Sequence, residues 1–148
     1  MDIKNLITET LTELGLYSDD ARDLLLGTCA QESAFGKYRK QLGGGPALGI
    51  FQMEPNTFND IVNNYLKYKP ELSKKILDVA GTNDFRAAEL VNNDKLACAM
   101  ARVHYLRVPK AIPHGLEEQA AYYKQYYNTP LGAATVDEYI KNYHKYVE

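Results

Sequence analysis

Apolar positions recur at helical spacing almost from the first residue. Ile3, Leu6, Ile7, Leu11 and Leu14 share one face of a helix predicted over Asp2 to Leu14, and Gly15 stops it. Ser18 is suited to cap a second helix, with Asp19 and Asp20 at its positive end; Ala21, Leu24, Leu25, Leu26 and Cys29 follow, to about Ala34. From Gly36 to Leu48 the periodicity lapses, and Gly43-Gly44-Gly45-Pro46 reads as a flexible loop with a short hairpin. Pro55 fits the first turn of a helix over Asn56 to Leu66, with Phe58, Ile61, Val62 and Tyr65 on its buried side. Further helices are expected over Glu71 to Val79, ended by Gly81, over Asp84 to Leu90, and over Asp94 to Arg107, closed by Pro109. The last two cover Leu116 to Tyr127 and Thr135 to Tyr146. The pattern predicts one mainly α domain spanning residues 1–148, with little room for sheet.

Composition narrows the picture. With 17 basic and 19 acidic residues among 148, the chain lacks the cationic excess that nucleic-acid binding requires. No run of ~18 apolar residues predicts a membrane span. The segment Met1-Asp2-Ile3-Lys4-Asn5 lacks the layout of a signal peptide, so synthesis in a cytoplasm is expected, with any export by another route. Cys29 and Cys98 lie in apolar helical stretches without Cys-x-x-Cys spacing and read as buried free thiols; no His stands in a motif-like position to make Cys29 a nucleophile. His104, His114 and His144 have no ligand spacing, so no metal and no cofactor is expected.

Glu32 carries the candidate chemistry. It lies one turn after Thr28 and Cys29 and two turns after Leu25, so it projects from the apolar stripe. It also sits near a helix C-terminus, and burial and the macrodipole both disfavour its charge. A raised pKa suits a general acid facing a poor leaving group such as a sugar oxygen. The bland alternative is a helix-end carboxylate, exposed or paired with Lys37 or Arg39. Between Phe35 and Gly49 there is no acidic residue.

Glu32-Ser33-Ala34-Phe35 followed by Gly49-Ile50-Phe51-Gln52-Met53-Glu54-Pro55-Asn56-Thr57 resembles the lytic transglycosylases of bacterial cell walls and phages. That family has the lysozyme-like fold and is related to goose-type lysozyme; its pattern is Glu-Ser-x-Phe, Gly-Leu-Met-Gln, then Met-Pro-x-Thr. This chain departs at Ile50, Phe51 and Glu54. Asn93 with Leu96 to Leu106 resembles a third motif and Tyr127-Asn128 a fourth, where Thr129-Pro130 replaces the usual Ala-Gly. The resemblance implies a substrate cleft near the loop at residues 36–48, peptidoglycan glycan strands as partner, a monomer, and no membrane insertion. It makes Glu32 the sole acid and then base. It places Ser33 near the reacting sugar or against Glu32, with a bond to the helix backbone as its alternative. Gln52 and the Gly49 and Ile50 backbone would line the cleft, Tyr127 would bond toward Glu32, and Asn128 would brace its turn. Phe51, Met53 and Phe58 read as core, as do most of Tyr122, Tyr123, Tyr126 and Tyr127, with Tyr127 in the cleft. Lys37, Arg39 and Lys40 read as a solvated loop, or as contacts to anionic wall peptides.

Most glycosidases place two carboxylates about 5 Å apart or wider. One suffices if Glu32 protonates the leaving oxygen and then takes the proton from the sugar's own 6-hydroxyl as it attacks C1, giving a 1,6-anhydro end. Glu54 is the candidate second carboxylate, which would position water and make a hydrolytic muramidase on the same fold. An inactive virion or glycan-binding protein is the third reading. The Tyr-Tyr-Asn-Thr-Pro-Leu-Gly segment and compact size suggest a phage protein, an endolysin released through a membrane pore or a virion part.

Overall fold

The structure is a computed structural model that describes residues 1–128 and 132–148; Thr129-Pro130 of the fourth motif lies outside them. Among the described residues seven α-helices follow in order: α1 (Ile3–Leu14), α2 (Asp19–Ser33), α3 (Pro55–Asn64), α4 (Pro70–Ala80), α5 (Asp94–Leu106), α6 (Leu116–Tyr123) and α7 (Val136–Tyr146). The helix ends obey local chemistry. Asp2 caps α1 through Asn5 N–H, Ser18 caps α2 through Ala21 N–H, and Thr135 and Glu138 form a reciprocal capping box on α7. Gly15 and Gly81 close α1 and α4 in the left-handed conformation.

Two helices form the centre. In α2, Ala21, Leu24 to Ala30 and Ser33 are all buried, and in α5 so are Leu96 to Ala101, Val103 and Tyr105. Helices apolar on nearly every side belong inside a core. Amphipathic α1, α6 and α7 cover α2, while α1, α3 and α4 cover α5. Gly27 permits one close crossing: a Cβ there would stand 2.1 Å from the Tyr139 hydroxyl of α7. That hydroxyl donates to Leu24 O at 3.0 Å, and Tyr105 Oη meets Thr28 Oγ1 at 2.8 Å, so two buried phenols are satisfied on α2 itself. Asn142 Nδ2 donates to Gln31 Oε1 at 2.6 Å, fastening α7 beside Glu32.

Four predicted elements differ. The helix expected over Asp84 to Leu90 is only a 3-10 stretch, Ala87–Val91, because Leu90 is its single buried residue and no second apolar turn exists to hold an α-helix. The helix expected to Leu66 ends at Asn64, and a 3-10 turn, Leu66–Tyr68, follows. The helix expected to Tyr127 ends at Tyr123 and widens into a π turn, Lys124–Asn128. Within residues 36–48 the hairpin reduces to a single bridge, Lys40 with Leu48, and Leu48 bridges in turn to Met53. No described helix is long and apolar enough to cross a membrane.

Gly27→Ala should therefore displace Tyr139 and cost ~2–4 kcal/mol of unfolding free energy, as buried overpacking with loss of a satisfied hydroxyl does. Denaturant unfolding checks this; an unchanged midpoint would show that α7 is free to shift.

Candidate functional site

The chain reverses sharply just after Glu32. Ala34 and Phe35 take left-handed backbone conformations, with φ of 50° and 60°, and Gly36 continues at 90°. The third non-glycine residue with positive φ among the described residues is Gln52, at 48°. All three belong to the two segments that meet around Glu32. Such conformations cost on the order of 1 kcal/mol each and persist only where neighbours impose them.

The neighbours are identifiable. Ser33 is fully buried. Its hydroxyl accepts from Gly36 N–H at 2.8 Å, donates to Ile50 O at 2.6 Å, and lies 3.1 Å from Cys29 O. Tyr127 Oη donates to Phe51 O at 2.6 Å. The Gly49-to-Gln52 turn is thus held by its carbonyls from two sides, while the Ile50 and Phe51 side chains anchor in the core. Leu48 and Met53 exchange both backbone hydrogen bonds across it, at 3.0 and 3.1 Å. Gly49 is required: its φ is 80°, and a Cβ would stand 2.3 Å from Leu90 O. Gln52 Nε2 donates to Gly49 O at 2.9 Å and to Tyr38 O at 3.3 Å. Its Oε1 has no protein donor among the described residues.

Glu32 is half-buried on the last turn of α2 and lines a groove of about 680 Å³ together with Gln52, Glu54, Tyr127 and Asn128. Gln41 and Ala47 of the glycine loop form another part of its wall. Beyond Gln52 and Glu54 a smaller pocket of about 170 Å³ continues to His104 and Tyr126. Burial pushes the Glu32 carboxyl up to about 7, and the Tyr123 hydroxyl, donating to Oε2, acts in the opposite direction. Lys37 is exposed over the Tyr38 ring, and no described cation pairs with Glu32.

Several expected roles change hands. The phenol that meets Glu32 belongs to Tyr123, not Tyr127. The two rings stack at 5.8 Å and 21°, but the π turn directs the Tyr127 hydroxyl to Phe51 O. Ser33, Gly49 and Ile50 are buried and do not line the groove: Ser33 ties backbone together, and the Gly49 N–H and C=O are taken by Arg39 O and by Gln52. Lys124 Nζ donates to Asn128 Oδ1 at 3.0 Å and to Gly132 O at 2.7 Å. Arg39 is no solvated loop cation. It makes a two-pronged pair with Asp94 and donates to Val91 O at 3.0 Å, locking the glycine loop onto α5. Asn93 caps α5 through Leu96 N–H at 3.0 Å. Glu54 is exposed ahead of α3, and its side chain makes no cap bond. Burial pushes the Cys29 thiol up to about 12, so it is protonated and unreactive at neutral pH. Among the described residues no cluster of His, Cys, Asp or Glu could hold a metal ion.

Two titration outcomes follow. Tyr123→Phe removes a donor from the carboxylate and should move the Glu32 midpoint above about 7, whereas Tyr127→Phe should leave it in place; carboxyl-carbon NMR distinguishes them. Because the folded-state pKa is raised from 4.5, the stability that protonated Glu32 contributes is full below 4.5 and is lost as pH rises through about 7. Glu32→Gln should flatten that fall. Each tenfold change in proton affinity is worth ~1.4 kcal/mol, so the fall is about 3–4 kcal/mol at most, and solvent at the groove mouth reduces it. No family model, curated protein or solved structure matches this chain.

Proposed function

We propose that the protein cleaves the β-1,4 bond between N-acetylmuramic acid and N-acetylglucosamine in peptidoglycan as a lytic transglycosylase, with Glu32 as its single acid and base. The observation that carries this reading is one carboxyl that burial raises to a pKa of about 7, lining a groove of about 680 Å³. At neutral pH such a group is shared between its two forms, as a residue that first gives and then takes a proton must be. Protonated Glu32 donates to the departing glycosidic oxygen, and the acetamido group of the muramic sugar steadies the cationic C1. The Glu32 carboxylate then removes the proton from the 6-hydroxyl as that oxygen bonds to C1. The C1–O bond to the leaving sugar breaks, the 1,6-anhydro ring forms, and no water is consumed. Tyr123 steadies the carboxylate between these steps. Gln52 Oε1 and Asn128 contribute polar groups that orient the glycan, and Tyr127 holds the turn that carries Gln52.

A second reading rests on Glu54, which lines the same groove and is not engaged in capping α3. If it positions a water, the enzyme is a hydrolytic muramidase on the same lysozyme-like scaffold. Action on the wall from within a phage-infected cell, or from a virion, fits either chemistry.

Digestion of purified peptidoglycan followed by mass spectrometry separates the readings. Anhydromuramic ends are expected; ends heavier by one water would assign hydrolysis, and Glu54→Gln should then abolish them. Glu32→Gln should lower turnover by about 10²–10⁴-fold. Wild-type activity should decline above pH 7 as Glu32 loses its proton. Full turnover in Glu32→Gln would refute the assignment, and absence of cutting across several wall types would favour a binding protein.

A further inference from the structure

At the other end of α2, about 20 Å along its axis from Glu32, lies a separate cavity of about 440 Å³. It opens between Ser18 at the start of α2 and the segment that follows α5, with Leu106, Val108 and Ile112 as apolar wall. Arg102 of α5 and Lys110 also line it.

Arg102 is unusual in this chain. Its Nε donates to Leu16 O at 3.1 Å, and neither terminal nitrogen meets an acceptor among the described residues. Other guanidinium groups have carboxylates: Arg22 pairs with Asp23, Arg39 with Asp94, and Arg107 with Asp60. Among the described residues Arg102 has none within ion-pair reach. The ionisable groups that act on its charge are the Tyr122 phenol and the Cys98 thiol, both neutral at ordinary pH, and burial raises the pKa of each further. Burial also lowers the pKa of Arg102, which marks the loss of solvation its charge suffers. The carboxylate of Asp20 reaches the same cavity, but its Oδ1 bonds to His114 Nδ1 at 2.8 Å. The cavity wall is fixed in place, since Tyr122 Oη donates to Lys110 O at 2.8 Å.

A partly desolvated cation without a counter-charge is costly, and a guanidinium cannot shed its proton to escape that cost. What it offers is a pair of parallel N–H donors matched to two oxygens of one acid group. We propose that the cavity beside Arg102 and Lys110 binds a small oxyanion, the carboxylate or phosphate group of a low-molecular-weight ligand whose apolar part lies against Val108 and Ile112. This site is independent of the glycan reading of the Glu32 groove.

The test is NMR titration of the full chain with sodium acetate and, separately, sodium phosphate, each against sodium chloride at matched ionic strength and pH. Saturable shifts of Arg102 Nε–H and of the Val108 and Ala111 amides are expected, absent with chloride, while the Gln52 side-chain amide stays in place. The anion that saturates at lower concentration assigns carboxylate or phosphate. Arg102→Met should weaken binding at least about tenfold, and Lys110→Ala, which removes an exposed and screened charge, about twofold to threefold. In chloride buffer Arg102→Met should unfold at nearly the same temperature, since relief of an unpaired charge offsets loss of the Nε bond to Leu16 O. Shifts that stay linear for both anions, that chloride reproduces, or that survive in Arg102→Met would overturn the site. Should Arg102→Met fail to fold, the chloride control and Lys110→Ala still decide: an undiminished response in the latter together with equal chloride shifts refutes it.

Discussion

The hydroxyl of Ser33 joins the two halves of the candidate site. It accepts the first free N–H after the reversal that ends α2 and donates to the carbonyl of Ile50. Without that bridge nothing polar would fix the Gly49-to-Gln52 turn against the helix that presents Glu32. A buried hydroxyl that satisfies an N–H and a carbonyl at once leaves no alternative arrangement of equal energy, because each partner released would be stranded away from water. The strained residues on both sides, Ala34, Phe35 and Gln52, follow from this join. Their backbones are imposed by the connection, and the core residues Ile50 and Phe51 keep it from relaxing.

The tyrosines provide the second constraint. Tyr139, Tyr123, Tyr127 and Tyr105 pack ring against ring, with successive centroids 4.9, 5.8 and 5.3 Å apart. Their hydroxyls end on four different acceptors: Leu24 O, Glu32, Phe51 O and Thr28 Oγ1. One aromatic layer therefore holds α2, α5, α6, α7 and the turn in mutual register, since a shift of any ring breaks a buried polar contact as well as a stack. The π turn belongs to this arrangement. It lets residues four apart keep their rings stacked while one phenol reaches the carboxyl and the next reaches the turn.

Most of the fold was legible because helix periodicity and capping are local. Asp2, Gly15, Ser18, Gly81 and Thr135 stand where their chemistry dictates. What the chain did not disclose depends on partners distant in sequence. A regular helix over Leu116 to Tyr127 has no local reason to widen; the reason is Phe51 O, 76 residues away from Tyr127. That widening hid the identity of the Glu32 partner, although Tyr123 and Tyr127 are four apart and their shared face was readable. Arg39 looked like an ordinary loop cation because its acid, Asp94, lies 55 residues on. The environment of Glu32 was legible for the opposite reason. Its apolar stripe is a property of α2 alone, and burial raises its pKa.

Glu32 and Arg102 show two outcomes of the same physical problem at opposite ends of α2. Each is a charge drawn partly out of water without a described counter-charge. The carboxyl resolves the problem by taking up a proton near neutral pH, which turns the cost of desolvation into a group able to donate and accept. The guanidinium has no such escape, because its proton stays bound throughout the accessible pH range. It must be compensated from outside the chain, and the open cavity in front of it, walled partly by apolar residues and with Asp20 Oδ1 bonded to His114, is where that compensation fits. Burial of an acid and burial of a strong base thus lead to different kinds of site: one that exchanges protons and one that waits for an anion.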